Sequence, residues 1–287
     1  MSKTVVDRVR EVFRPQAPLW ACEVTSKHVI VAGVNKKRNQ IEGKVATDVT
    51  PGPEGLRAGV RYALSNAGFK GSEIGVVVPD DTARIAFLTA EKLSRDPEEQ
   101  KTFIRWKLKK TVPFDVDTAQ VAFRVLGPHP TGTGVDLLVA LSPRSIVQEY
   151  ENLFDSLGIH AGMVMPSTLA ALNLFNVPSV DALFLKIAPD CITTTVFQNQ
   201  RMAFYRRIAE TALYDAVYPT VMYYQDKLGG KALEQLTVCG YDTDIRSSLV
   251  ELQERLGLSP ERLDPKNVDD IFKPVLGSVH VLWQSLI

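Results

Sequence analysis

One order of five elements occurs twice along the chain. Residues 19–49 read as three strands, Leu19–Val24, Lys27–Val34 and Gln40–Val49, the first two rich in apolar and β-branched residues and parted by a tight turn at Thr25 and Ser26. Pro51-Gly52-Pro53 breaks the pattern, the spacing then predicts a helix over Glu54–Ala67 with Gly68 past its end, and Ile74–Val78 reads as a short strand. In the second half, Ala182–Ala188 and Ile192–Gln198 flank a Pro189-Asp190 turn and Arg201–Ile208 follows Asn199-Gln200. A helix over Glu210–Lys227, the strand Gln235–Cys239 and a helical pattern over Asp244–Leu256 complete it. Two β-β-β-α-β units about 165 residues apart predict a duplicated, two-lobed α/β architecture. In such a pair the cleft between the lobes is the expected ligand site.

The segment between the repeats has no counterpart in the second half. Thr82–Leu88 reads as a strand, and Asp96-Pro97-Glu98-Glu99 as a helix start, with an oxygen acceptor at the cap, Pro at the first position and acids at the positive end of the dipole. The helix is expected to run to about Lys110 and to end at the Thr111-Val112-Pro113-Phe114-Asp115 corner, after which Thr118–Val125 alternates as a half-buried strand does. The Gly-Pro-rich stretch Gly127–Gly134 leads to the strand Val135–Leu141, a helix capped by Ser142-Pro143 and the strand Ala161–Val164. The expected units are residues 1–79 with 128–178 as the first lobe, 80–127 as a small inserted α+β subdomain, and 179–287 as the second lobe.

Composition narrows the functional classes. Thirty-three basic and 33 acidic residues cancel, so the chain lacks the positive field of a general nucleic-acid binder. Three cysteines with no Cys-x-x-Cys pair make no disulfide framework and point to a reducing, cytoplasmic setting. No apolar run approaches the ~18 residues of a membrane span, and Met1–Arg8 lacks a signal-peptide core. Val5, Val9, Val12 and Phe13 fall at helical spacing among Lys3, Arg8, Arg10 and Arg14, a short amphipathic start that either packs on the first lobe or touches a membrane weakly.

Familiar catalytic arrangements are missing. Gly229-Gly230-Lys231-Ala232 lacks the first glycine and the hydroxyl of a phosphate loop, and His28, His129, His160 and His280 have no metal-ligand spacing. The pairs Asp80/Asp81, Asp115/Asp117 and Asp269/Asp270 sit beside Pro or a helix start and read as caps and turns. No catalytic residue and no metal site is assigned. Lys101, Arg105 and Lys109 form a basic stripe on the inserted helix, reinforced by Lys107 and Lys110 and read as a solvated face. Phe103, Ile104 and Leu108 read as core, and Trp106 lies off their line as a candidate contact residue.

Pro97–Val125, with Lys109-Lys110-Thr111-Val112-Pro113-Phe114-Asp115-Val116-Asp117 and the strand ending Phe123-Arg124-Val125-Leu126, resembles the PilM-like proteins of type IV pilus assembly. The order of elements agrees along nearly the whole chain, and the cytoplasmic domain of the L component of type II secretion is a more distant likeness. The resemblance implies an actin-like (ribonuclease H-like) fold, related to FtsA. In that fold two hairpin loops hold phosphates and a third, glycine-rich loop backs the adenosine, because glycine lets amides approach phosphate and carboxylates position magnesium.

Carried over position by position, the resemblance puts Glu23-Val24-Thr25-Ser26 at the first hairpin, where the family has Asp-Ile-Gly-Ser. It puts Lys186-Ile187-Ala188 at the second, where Asp-Ile-Gly is expected, followed by Pro189, which has no amide hydrogen. At the third, Cys239-Gly240-Tyr241-Asp242 replaces paired glycines. Glu23, Thr25, Ser26, Lys186 and Gly240 are thus the candidate residues of degenerate nucleotide loops, with Lys27 and Lys186 as the charges that could still meet phosphate. No cofactor is expected, ATP with magnesium being the alternative. Cys22, Cys191 and Cys239 read as buried strand residues beside those loops.

The resemblance further implies a non-catalytic cytoplasmic scaffold, peripheral to the inner membrane. It would capture the N-terminal tail of a PilN-like membrane protein in a groove between the first lobe and the inserted subdomain and meet other platform proteins. Trp106, Val112, Pro113 and Phe114 are the candidate partner contacts. An actin-type ATPase switch and a type II secretion component are the alternatives.

Overall fold

The computed structural model describes residues 18–35, 40–130, 132–209, 212–240, 246–263 and 268–284. The amphipathic start and Tyr241-Asp242 lie outside them.

Strands β1 (Trp20–Val24), β2 (His28–Val34), β3 (Ile41–Asp48), β4 (Glu73–Val78) and β8 (His160–Pro166) form one five-stranded sheet in the order β3-β2-β1-β4-β8. β1 and β2 pair antiparallel, whereas β4 runs parallel to both β1 and β8. The near-continuous apolar run of β2 has the composition of a strand covered on both faces, and both are covered. On one face Val60, Ala63 and Leu64 of helix α1 (Pro53–Ala67) pack against Cys22, Val29, Val31 and Val76. Gly68 ends α1 in the left-handed region (φ 81°), and Phe69 N–H returns to Leu64 C=O at 3.0 Å. Helix α3 (Arg144–Asp155) adds Phe154 to the same core.

The second sheet, β9 (Ala182–Ile187), β10 (Cys191–Gln198), β11 (Arg201–Ala209), β12 (Gln235–Gly240) and β13 (Pro260–Arg262), has the order β11-β10-β9-β12-β13. It repeats the first sheet strand for strand, so the duplication read from the sequence is a duplication of topology. Helices α5 (Leu213–Asp226) and α6 (Arg246–Leu256) cover one face, through Leu213, Ala216, Val217, Tyr224 and Leu252.

Between them, β5 (Arg84–Ala90), β6 (Gln120–Pro128) and β7 (Val135–Ser142) form an antiparallel sheet in the order β5-β7-β6, backed by helix α2 (Pro97–Leu108). Asp96 caps α2 as expected, its carboxylate accepting from Glu98 N–H at 2.7 Å and Glu99 N–H at 3.2 Å.

Two of the expected boundaries move. The inserted unit does not stop at 127: β7, assigned to the first lobe from the sequence, is the central strand of the small sheet. Pro128 pairs with Val135 and His129 N–H bonds to Gly134 C=O at 3.1 Å, so β7 turns back onto β6, and Leu137, Val139 and Leu141 alternate into the subdomain core. Nor does the whole of 179–287 belong to the second lobe. Helix α7 (Lys273–Gln284) returns to the first, where Phe272, Val275 and Val279 cover Ala21, Ile30, Ala32 and Val77 together with Ala170 of helix α4 (Ser167–Leu172). Ser142 does not cap α3: Pro143 stands at that position, and Ser142 Oγ donates to Thr82 C=O at 2.7 Å.

Candidate functional site

The duplicated topology brings the ends of both sheets together at the cleft, with the β1–β2 and β9–β10 hairpins facing one another. Glu23 and Lys186 occupy matching places: each is the penultimate residue of the central strand of its sheet, paired with Val77 of β4 and Cys239 of β12 respectively. Both are buried, at 0% and 1% exposure.

Side-chain period two puts Glu23 on the same face of β1 as Ala21, toward α4, where Ser167 Oγ donates to Glu23 Oε1. The residue that organises the cleft is Asp80, whose sequence context is that of a turn acid. Asp80 follows β4 and is 2% exposed; it accepts from Thr168 N–H at 2.7 Å, from the Thr168 hydroxyl, and from Thr193 Oγ1 of β10 at 3.1 Å. Lys186 Nζ stands 4.0 Å from Asp80 Oδ2. One carboxylate thus binds residues from both lobes. Pro79, not Asp80, occupies the cap of the short helical turn Asp80–Thr82, which frees the Asp80 side chain for the cleft.

Burial raises the acid groups around the same centre. Burial first, then the Asp80 charge, pushes the Tyr205 phenol beside Thr193 and Thr168 well above its ordinary range. Burial also pushes the Cys191 thiol to about 11 against the lowering effect of Lys186, and the Cys239 thiol to about 12. Cys22, fully buried next to Glu23, rises further. The three thiols are buried as expected, a setting that keeps a thiol protonated and shielded. Cys239 also senses Asp270, Glu23 and Lys273, and Lys273 is a second lysine at 2% exposure. Gly240 N–H bonds to the Asp270 carboxylate, whose pKa burial raises against the pull of Arg262 and Lys273.

The hairpins face inward. Thr25 Oγ1 accepts from Lys27 N–H at 3.3 Å and His28 N–H at 2.8 Å, and Thr25 N–H goes to His28 C=O. Ala188 N–H closes its own turn on Cys191 C=O, and Pro189 has no N–H. At the tips, Ser26 Oγ donates to Asp190 Oδ2 at 2.5 Å. A magnesium–nucleotide would need outward-pointing amides and metal-facing carboxylates; the amides of Thr25, Lys27, His28 and Ala188 are spent within their own turns, Pro189 has none and Lys186 brings a positive charge, so these residues fit it poorly. Of the five residues expected there, Glu23 and Lys186 are in the buried centre, Thr25 holds its own turn, Ser26 bridges the tips and Gly240 holds Asp270.

A separate cavity of about 290 Å³ lies between the first lobe and the inserted sheet. It opens along β8, an edge of the first sheet, and β6, an edge of the small one. Ala122, Ala140, Ala161 and Gly162 make its walls shallow, and Gln120, Ser142, Tyr150 and Glu151 add polar groups. None of Trp106, Val112, Pro113 or Phe114 lines it. Val112 and Phe114 pack on the subdomain core, whereas Pro113 is exposed and Trp106 is 68% exposed, with Lys107 Nζ 5.1 Å from its ring. The basic stripe is engaged within the subdomain: Lys101 with Glu98, Arg105 with Ala119 C=O and Lys109 with Asp117.

No protein-family model matches the chain, and no curated protein does. Among solved structures, it is similar to a PilM-PilN type IV pilus biogenesis complex (16% identity over 92% of this chain and 98% of that one, TM-score 0.72). It is also similar to a Bacteroides thetaiotaomicron protein with an actin-like ATPase fold and unknown function (9%, 89% and 94%, 0.59). A third likeness is to the cytoplasmic domain of EpsL, an inner membrane component of the type II secretion system of Vibrio cholerae (12%, 92% and 94%, 0.53). These likenesses establish an actin-like fold. Among the described residues no helix is long and apolar enough to cross a membrane.

Proposed function

We propose that this protein is a non-catalytic adaptor of a type IV pilus assembly platform. It would sit at the cytoplasmic face of the inner membrane and hold the extended N-terminal tail of a PilN-like membrane protein. The observation that carries the reading is the cavity between two open strand edges, β8 and β6. An extended peptide entering there can pair its backbone with a free edge and place alternate side chains in the cavity, which gives affinity from main-chain hydrogen bonds and selectivity from the walls. The short side chains of Ala122, Ala140 and Ala161 leave room for a peptide backbone to approach. The likeness in fold to a PilM-PilN complex supports the choice of partner.

In this reading Val112 and Phe114 act through the packing of the subdomain, and the exposed Trp106 and Pro113 face further platform proteins. The test is fluorescence anisotropy with a labelled N-terminal peptide of the PilN-like protein from the same genome, against a scrambled peptide. Saturable binding of the native order alone is expected; equal binding of both peptides, or of neither, removes the reading.

A further inference from the structure

Actin-like ATPase folds place their ligand between the lobes, where the amides and carboxylates described above would have to serve it. In this chain the place is filled by side chains. Asp80 comes from the first lobe, Lys186 and Thr193 from the second, and the Asp80 carboxylate joins them with both charges almost fully buried. Lys186 is the positional partner of Glu23 in the duplicated topology, so the two matched sites carry opposite charges where the resemblance expects two acids. Burial of such charges is tolerated when they are paired and hydrogen-bonded, and Thr168 and Thr193 complete the shell of Asp80.

We infer that Lys186 is a built-in cation that holds the two lobes together in place of a metal–nucleotide, so that the lobe arrangement is set without any nucleotide. This does not depend on the pilus reading. The Ser26–Asp190 bond at the hairpin tips closes the same cleft from outside. With the ammonium removed, the Asp80 carboxylate would be left buried beside the emptied space, a hard oxygen donor of the kind that suits Mg²⁺.

The test is thermal unfolding of the full chain, wild type and Lys186→Ala, in EDTA, in millimolar MgCl₂ or MnCl₂, and with Mg-ATP, since a ligand preferring the folded state raises the midpoint. The wild-type midpoint is expected to stay within about 2 °C in all four conditions. Lys186→Ala is expected to melt about 6–15 °C lower in EDTA and to recover at least a third of the loss with Mg²⁺ or Mn²⁺. A wild-type rise above that range with metal or Mg-ATP overturns the inference, as does a variant that melts like the wild type, or one that melts low and ignores both metals.

If Lys186→Ala does not fold, Lys186→Met, Asp80→Asn and their double variant decide. The double variant is expected to melt higher than the sum of the single losses allows, because removing both charges leaves neither one buried alone. Additive losses overturn the inference.

Discussion

Ser26 Oγ and Asp190 Oδ2 are 2.5 Å apart although 164 positions separate them in the chain. They are the tips of the two hairpins that this fold would offer to phosphates, and they meet each other.

The bond is exposed, so its contribution is modest. Ser26→Ala and Asp190→Ala should each lower stability by about 0.5–1.5 kcal/mol, and the double variant should lose no more than the larger single loss. Urea unfolding of the four proteins checks this; fully additive losses would mean that the two side chains do not act together.

The buried thiols make stability fall on the alkaline side. Their folded pKa values, about 11 for Cys191, about 12 for Cys239 and higher for Cys22, lie above the usual value near 9. Between pH 9 and the folded values the unfolded chain has lost these protons while the native one keeps them, so the native state is progressively disfavoured. The stabilisation is complete below about pH 8 and is lost as pH rises through the folded pKa values. Cys239→Ala should flatten the fall in a pH series of denaturation midpoints above pH 9. A thiol reagent at pH 8 should label none of the three cysteines rapidly in the native chain and all three in denaturant.

The cavity can be closed without touching the core. Ala122 is on the exposed side of β6, so Ala122→Trp should change stability by no more than about 0.5 kcal/mol while weakening tail binding at least about tenfold. Unchanged affinity for the PilN-like peptide would move the binding site elsewhere.

The corner residues separate into packing and surface. Phe114 is half-buried in the subdomain core, and Phe114→Ala should cost about 2–3 kcal/mol. Trp106→Ala, at a position 68% exposed, should stay within about 0.5 kcal/mol of wild type. Chemical denaturation of both variants tests the assignment, and a large loss for Trp106→Ala would show that the ring packs on the fold.

The duplicated strand order was legible because the patterns of Leu19–Val34 and Ala182–Gln198 are local and strong, and the Asp96 cap was legible because its chemistry is contained in four residues. What escaped depends on contacts distant in sequence. Asp80 looks like any acid after a proline; its role comes from Thr168, 88 residues on, and Thr193, 113 residues on. The available clue was position: an acid two residues past a buried strand, at the sheet end that carries the hairpins. Val135–Ser142 would suit either sheet on its own pattern, and only its pairing with β6 and β5 puts it in the small one. Glu23 and Lys186 were legible as departures from the expected loop chemistry, yet the pairing of Lys186 with Asp80 across the lobes, and of Glu23 with Ser167, belongs to the assembled fold.

The return of α7 to the first lobe has a consequence during synthesis. The face of β1, β2 and β4 that carries Ala21, Ile30, Ala32 and Val77 is covered by Phe272, Val275 and Val279, nearly the whole chain later. On the ribosome that lobe cannot complete its core until the second lobe has already emerged. Its apolar face therefore stays open throughout translation of the rest, the interval in which a newly made chain is most prone to aggregate and to need a chaperone.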